Sequence, residues 1–146
     1  MAGIVFQDDF KIEKVNPEGA KFEKVNRLLC KGVVYELEFL VDVNSELFEV
    51  DEGEKLTVAV ATSLSLDGAG TATAHDHIRP NAKPSLMDQF DYVMHGVVYK
   101  VAHVQGTKVE VYLSHGGLLA RFVGDQRHLK KLTVDAEVYT LLKKSA

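Results

Sequence analysis

The chain has 146 residues, 46% hydrophobic and 26% charged, and a core of that size buries roughly 68–70% of the unfolded surface without covalent staples; a disordered chain is excluded and one domain, residues 1–146, is expected. The net charge of −4 argues against an autonomous nucleic-acid binder, whose affinity comes from basic side chains that neutralise phosphates. The lone cysteine, Cys30, has no partner for an internal disulfide and reads as a reduced core residue.

Met1-Ala2-Gly3-Ile4-Val5-Phe6 runs directly into Asp8-Asp9 without the basic and apolar regions of a signal peptide, and myristoylation requires glycine where Ala2 stands. No run of about 18 apolar residues is present to span a bilayer. A cytosolic or nuclear protein that makes no use of a membrane is expected.

Phe10, Ile12 and Val15 suggest an opening strand, closed by the turn Asn16-Pro17-Glu18-Gly19, and Phe22, Val25 and Leu28 restart the apolar pattern. Tyr35, Leu37, Phe39, Val41 and Val43 alternate with Glu36, Glu38, Leu40 and Asp42, the period of a half-buried strand. Residues 45–50 have room for a helical turn or two. Leu56, Val58, Val60, Thr62 and Leu64 then alternate with Thr57, Ala59, Ala61, Ser63 and Ser65, giving a strand with branched residues on one face and small ones on the other. Residues 67–84 are small and polar without periodicity and read as a long mobile central loop.

Beyond it come short β-type runs at 90–94, 97–104, 109–113, 118–123 and 132–142, punctuated by Gly96, Gly106, Gly116-Gly117 and Gly124. Gln105-Gly106-Thr107-Lys108 predicts a hairpin turn, and the paired glycines a bulge or sharp bend. Residues 124–131 can hold a further turn of helix. The fold class is all-β, a sandwich or barrel.

Few motifs carry chemistry. His75, Asp76 and His77 are metal-type ligands, but no cysteine pair or second histidine cluster completes a site, so no metal is expected. The remaining histidines, His95, His103, His115 and His128, read as strand or surface residues. Ser114-His115-Gly116-Gly117 superficially resembles an esterase oxyanion segment, yet no G-x-S-x-G elbow exists, and neighbours on a strand face opposite ways. Gly68-Ala69-Gly70 lacks the third glycine of a dinucleotide fingerprint, and no phosphate loop is present. Tyr92, Tyr99, Tyr112, Tyr139, Phe90 and Phe122 would form a base-stacking platform only if they faced outward; core packing is the stronger reading. No catalytic, cofactor-binding or metal residue is assigned.

Several segments in order carry a family likeness: Asn16-Pro17-Glu18-Gly19-Ala20-Lys21-Phe22-Glu23-Lys24-Val25-Asn26-Arg27; Val41-Asp42-Val43-Asn44-Ser45-Glu46-Leu47-Phe48; Phe90-Asp91-Tyr92-Val93-Met94-His95-Gly96-Val97-Val98-Tyr99-Lys100; Ser114-His115-Gly116-Gly117-Leu118-Leu119-Ala120-Arg121; and Val134-Asp135 with Val138-Tyr139 and Leu141-Leu142-Lys143-Lys144. They resemble the small subunit shared by eukaryotic nuclear RNA polymerases I, II and III. The resemblance implies a single antiparallel β-barrel of about eight strands, related to the oligonucleotide/oligosaccharide-binding (OB) fold, with its long central loop where residues 67–84 fall. It further implies a non-catalytic subunit in the nucleus, including the nucleolus, docked on the largest subunit and aiding assembly. No cofactor, membrane or small-molecule substrate is implied, and nucleic acid is contacted only indirectly or weakly. Tyr112, Ser114, Gly116, Gly117, Leu118 and Arg121 are the expected partner contacts, on the argument that Gly116-Gly117 permits close backbone approach. A free-standing binder of single-stranded nucleic acid, using the Tyr/Phe face, is the alternative, and an esterase-like enzyme centred on Ser114 the third reading.

Overall fold

Alternation of apolar and polar residues at period two commits a segment to a pleated strand whose apolar face must be covered, and a sheet of such strands covers itself by closing. In the computed structural model, which describes residues 3–17, 19, 23–63 and 86–144, eight strands do this: β1 (Ile4–Val15), β2 (Val25–Gly32), β3 (Glu38–Asn44), β4 (Lys55–Ala61), β5 (Tyr92–Gln105), β6 (Lys108–His115), β7 (Leu118–Asp125) and β8 (Glu137–Lys144). A 3-10 turn at Leu86–Gln89 precedes β5, and one helical turn, α1 (Gln126–Leu129), follows β7. The strands pair antiparallel in the order β1-β2-β3-β7-β6-β5-β8-β4 and close from β4 back to β1. The all-β barrel expected from the sequence is what forms, in the OB-like manner. Residues 67–84 lie outside the described residues.

The interior is set by the alternating residues. On β6, Val109, Val111, Leu113 and His115 are buried while Glu110, Tyr112 and Ser114 face outward. Phe6, Phe10, Phe39 and Phe122 form a closed ring of aromatic contacts inside the barrel, with Phe39 stacked on Phe122 at 4.3 Å and Phe6 edge-on to Phe122 at 5.1 Å. Such pairs add about 0.5–1.5 kcal/mol each beyond their burial. β4 is covered on both faces: Leu56, Val58 and Val60 enter the main core, and the small Ala59 and Ala61 leave room outside for Tyr139 and Leu141, with Ile4, Phe90 and Val93 packed against them. Cys30 is fully buried, and desolvation pushes its thiol up to about 12, which keeps it protonated and inert.

Several boundaries differ from the sequence reading. β1 begins at Ile4 rather than near Phe10, because Ile4 to Lys11 find partners on β4. Tyr35 is not in a strand: residues 33–36 form a bend closed by Gly32 N donating to Leu37 O at 2.8 Å, which leaves Val33, Val34 and Tyr35 exposed. The runs at 90–94 and 97–104 are one strand of 14 residues, since Gly96 lies inside the ladder and does not end it. A side chain at Gly96 would meet Ser114 O at 2.5 Å, so glycine is needed there for close packing of β5 on β6. The run at 132–142 is a strand only from Glu137; Asp135 adopts φ 73, which ends the preceding turn.

Candidate partner-binding face

Strands β2, β3, β7, β6 and β5 present a continuous outer surface. In-register pairing places Leu29, Leu40, Arg121, Tyr112 and Lys100 in one row across it. A neighbouring row runs from Arg27 and Asp42 through Leu119 and Ser114 to Val97.

Two polar clusters link neighbouring strands across this surface. Arg27 donates to Asp42 through Nε at 2.6 Å and Nη2 at 3.0 Å, and Leu119 N donates to the same carboxylate at 3.1 Å. The Asp42 side chain is only 8% exposed, so these donors replace the water it has lost. In the second cluster Tyr112 donates its hydroxyl to Glu110 Oε2 at 2.8 Å and Arg121 Nη1 donates to the same oxygen at 3.3 Å. The bond to Glu110 raises the Tyr112 phenol above its ordinary value. Arg121 Nε is buried with no hydrogen-bond partner among the described residues. The Lys100 ammonium lies 5.3 Å from the Tyr112 ring centre, and Tyr99 packs against Tyr112 at 6.0 Å.

Of the expected contact residues, Tyr112, Ser114 and Arg121 share this outer face. Gly116 and Gly117 form the two-residue turn that joins β6 to β7, at φ 64 and 105. Both central residues of such a turn need positive φ, which explains the glycine pair. The space around both is open within the chain: an added Cβ at either position would meet nothing within 4 Å. Leu118 packs against the core, and its neighbour Leu119 is the one exposed, by 42%. Ser114 and His115 point to opposite faces. Ser114 Oγ accepts from Gly117 N at 3.3 Å, whereas His115 is buried with Nε2 2.8 Å from Thr140 Oγ1. Burial, and secondarily the charge of His95, lower the His115 imidazole to about 4.

The aromatic platform disperses. Phe122 and Tyr139 are buried, Tyr92 stacks on Phe48 at 5.4 Å, and Phe90 packs with the second core cluster beneath Lys143. Only Tyr99 and Tyr112 remain on the outer surface. His75, Asp76, His77 and Gly68-Ala69-Gly70 lie outside the described residues; among those described, no group of three His, Cys, Asp or Glu side chains is placed to hold a metal ion. Sequence reasoning missed Asp42, Arg27, Glu110 and Leu119. The only signal was an aspartate on one strand with an arginine available on the preceding strand.

The surface holds positioned donors and acceptors and a few apolar side chains on a barrel of OB-like build. Residues 7–144 match the family RNA polymerase Rpb8, and the chain belongs to that family. It is 36% identical over 149 residues to a Caenorhabditis elegans protein named as a probable subunit, RPABC3, of DNA-directed RNA polymerases I, II and III, covering 99% of each chain. It is 34% identical over 149 residues to the RPABC3 subunit of polymerases I, II and III from Saccharomyces cerevisiae, covering 99% of this chain and all of that one. An Arabidopsis thaliana relative, 36% identical over 143 residues and covering 97% of this chain and 96% of its own, is named subunit 8B of polymerases II, IV and V.

Proposed function

We propose that the chain is a non-catalytic subunit common to the nuclear DNA-directed RNA polymerases I, II and III, that it docks on their largest subunit, and that it supports their assembly for transcription. The observation that carries this reading is the family match, which runs from within β1 to the end of β8. Catalysis belongs to other subunits. The chain works in the nucleus, nucleolus included, and nucleic acid meets it only indirectly or weakly. The outer face around Tyr112, Ser114, Leu119 and Arg121 supports docking, because Tyr and Arg held in place by hydrogen bonds lose little freedom on binding, and both types are enriched at binding hot spots.

The test is purification of the tagged chain from its native cells, with mass-spectrometric identification of near-stoichiometric companions. Recovery of the largest subunits of polymerases I, II and III supports the reading. Recovery of one polymerase alone corrects it to a specialised paralogue, a correction made pertinent by the different polymerase set in the Arabidopsis relative's name. Elution of the chain alone, with salt-sensitive oligonucleotide binding, replaces it with a free-standing nucleic-acid binder.

A further inference from the structure

β5 outruns its neighbour β8. The ladder between them ends at the Val97–Glu137 pair. The last bonds on that side are Val98 N to Ala136 O at 3.0 Å and Asp135 N to Val98 O at 2.7 Å. β5 continues to Gln105, paired with β6 alone, in continuous register from Lys100 against Tyr112 to His103 against Val109. Among the described residues no strand pairs with the other side of residues 99–105. Successive residues of an antiparallel strand aim their backbone groups alternately to its two sides, so about half of those in this stretch face an open edge. Register shifts on either side, at Val98/Lys100 and His103/Gln105, limit the regular edge to residues 100–103. That admits one short strand and discourages open-ended stacking.

At this end of β5 lies a hollow of about 440 Å³ lined by Val101, Val109, Val111, Leu129, Leu132 and Val134; Val109, Val111, Leu129 and Leu132 are buried in its depth and Val134 stands exposed at its mouth. His103, Arg127 and Lys130 also line it, and no acidic residue does. Asp125 engages Arg127 through Nε at 3.1 Å, while Lys130 has no ion-pair partner among the described residues. Val134 is 50% exposed. The surface is therefore apolar at its floor and basic at its rim, on a chain whose net charge is −4.

We propose that this edge and hollow receive an extended segment of another polypeptide, which pairs with residues 100–103 as an added strand, places an apolar side chain against Val101 and Val134 at the mouth of the hollow and sets an acidic side chain against Lys130 and Arg127. The backbone edge supplies pairing, the floor selects an apolar residue at alternate positions, and the rim selects an acidic one beside it. The inference rests on the polymerase reading above and names the chemistry of one contact within that assembly. In a two-fold dimer of this chain the basic rim would face its own copy, like charge against like, and a nucleic acid would leave the apolar floor uncovered.

The experiment uses the tagged chain assembled in its native cells, with a photo-crosslinking residue in place of Ala102. The expected result is a crosslink to a single segment of one partner subunit in which apolar and acidic residues alternate, together with amide exchange at residues 99–105 slowed at least tenfold in the complex relative to the isolated chain. Val134→Glu is expected to leave the melting temperature unchanged and to cut retention of that partner in a salt wash at least tenfold. Recovery of polymerase subunits with no crosslink and unchanged exchange at 99–105 overturns the added strand and leaves the subunit reading intact; recovery of the chain alone overturns both. Slowing of the same amides by an oligonucleotide, or by self-association of the isolated chain, also overturns it.

Discussion

Arg27 and Asp42 stand opposite each other on β2 and β3, and the carboxylate that the guanidinium grips also accepts from the backbone of Leu119 on β7. One side chain thus ties three strands together where the β3–β7 ladder has ended, its last pair being Val41 with Ala120. Asp42 does the work of a missing backbone partner, and the outer face keeps its shape beside the β6–β7 turn.

Asp42→Ala removes two charge-assisted bonds and strands the Leu119 amide. Bonds to charged groups are worth about 1.5–3 kcal/mol each; since the Arg27 side chain is 33% exposed and regains water, the expected net loss is about 2–4 kcal/mol, read from the urea midpoint. Asp42→Asn, which keeps an acceptor for Leu119, should lose less. A loss below about 0.5 kcal/mol, the range of an unremarkable surface change, would refute the bracing role.

Gly117 and Gly96 are glycines for different reasons, and substitution separates them. At Gly117 the space is open and φ is 105, so the penalty is conformational, about 1–3 kcal/mol. Gly117→Val should destabilise the barrel and weaken co-purification of the partner, whereas Gly117→Asn, which tolerates positive φ better, should recover part of both. At Gly96 the obstacle is a neighbouring backbone oxygen and the His115 ring, at 2.5 and 2.6 Å from an added Cβ; Gly96→Ala and Gly96→Asn should both fail. Equal behaviour of Asn at the two sites in thermal unfolding would contradict this division.

The barrel was legible because period-two alternation is a local signal: Val109, Val111 and Leu113 declare the inner face of β6 within five residues of sequence. Strand ends were less so. Tyr35 fits the alternation of β3 yet lies in a bend, and Gly96 looks like punctuation yet sits mid-strand, because both depend on what the opposite strand does. The outer face was read in part. Tyr112, Ser114 and Arg121 emerge together, but Arg27, Asp42 and Glu110 are joined to them only by register across strands distant in sequence. Leu118 and Leu119 are indistinguishable by composition, and a one-residue shift exchanges core for surface.

His115 gives the protein a pH dependence of known sign. Its folded value of about 4 lies below the ordinary 6.5 because burial disfavours the cation, so between those values the unfolded chain binds more protons. Stability present above pH 6.5 is lost as pH falls toward 4 and is level below that. By pH 5 the loss is roughly 2 kcal/mol at 1.36 kcal/mol per unit. Asp8, whose carboxyl partial burial raises, acts in the opposite direction at lower pH. Urea midpoints at pH 7 and pH 5 should differ for the wild type and differ much less for His115→Gln, which keeps a polar partner for Thr140. Parallel shifts in the two proteins would assign the dependence elsewhere.

Leu118 and Leu119 allow folding and partner binding to be measured apart. Leu118 is partly buried and packs against the core from the inner face, so Leu118→Ser should cost about 1–3 kcal/mol of stability, chiefly through lost apolar contact. Leu119 is 42% exposed and its amide is already satisfied by Asp42, so Leu119→Ser should change stability by less than about 0.5 kcal/mol. If the outer face around Tyr112 and Arg121 is where the largest subunit docks, the same Leu119→Ser chain should lose that subunit from the purified complex at salt concentrations where the wild type retains it. A Leu119→Ser protein with both unfolding midpoint and partner retention unchanged would move the docking contact off this face, leaving the β5 edge as the place to look.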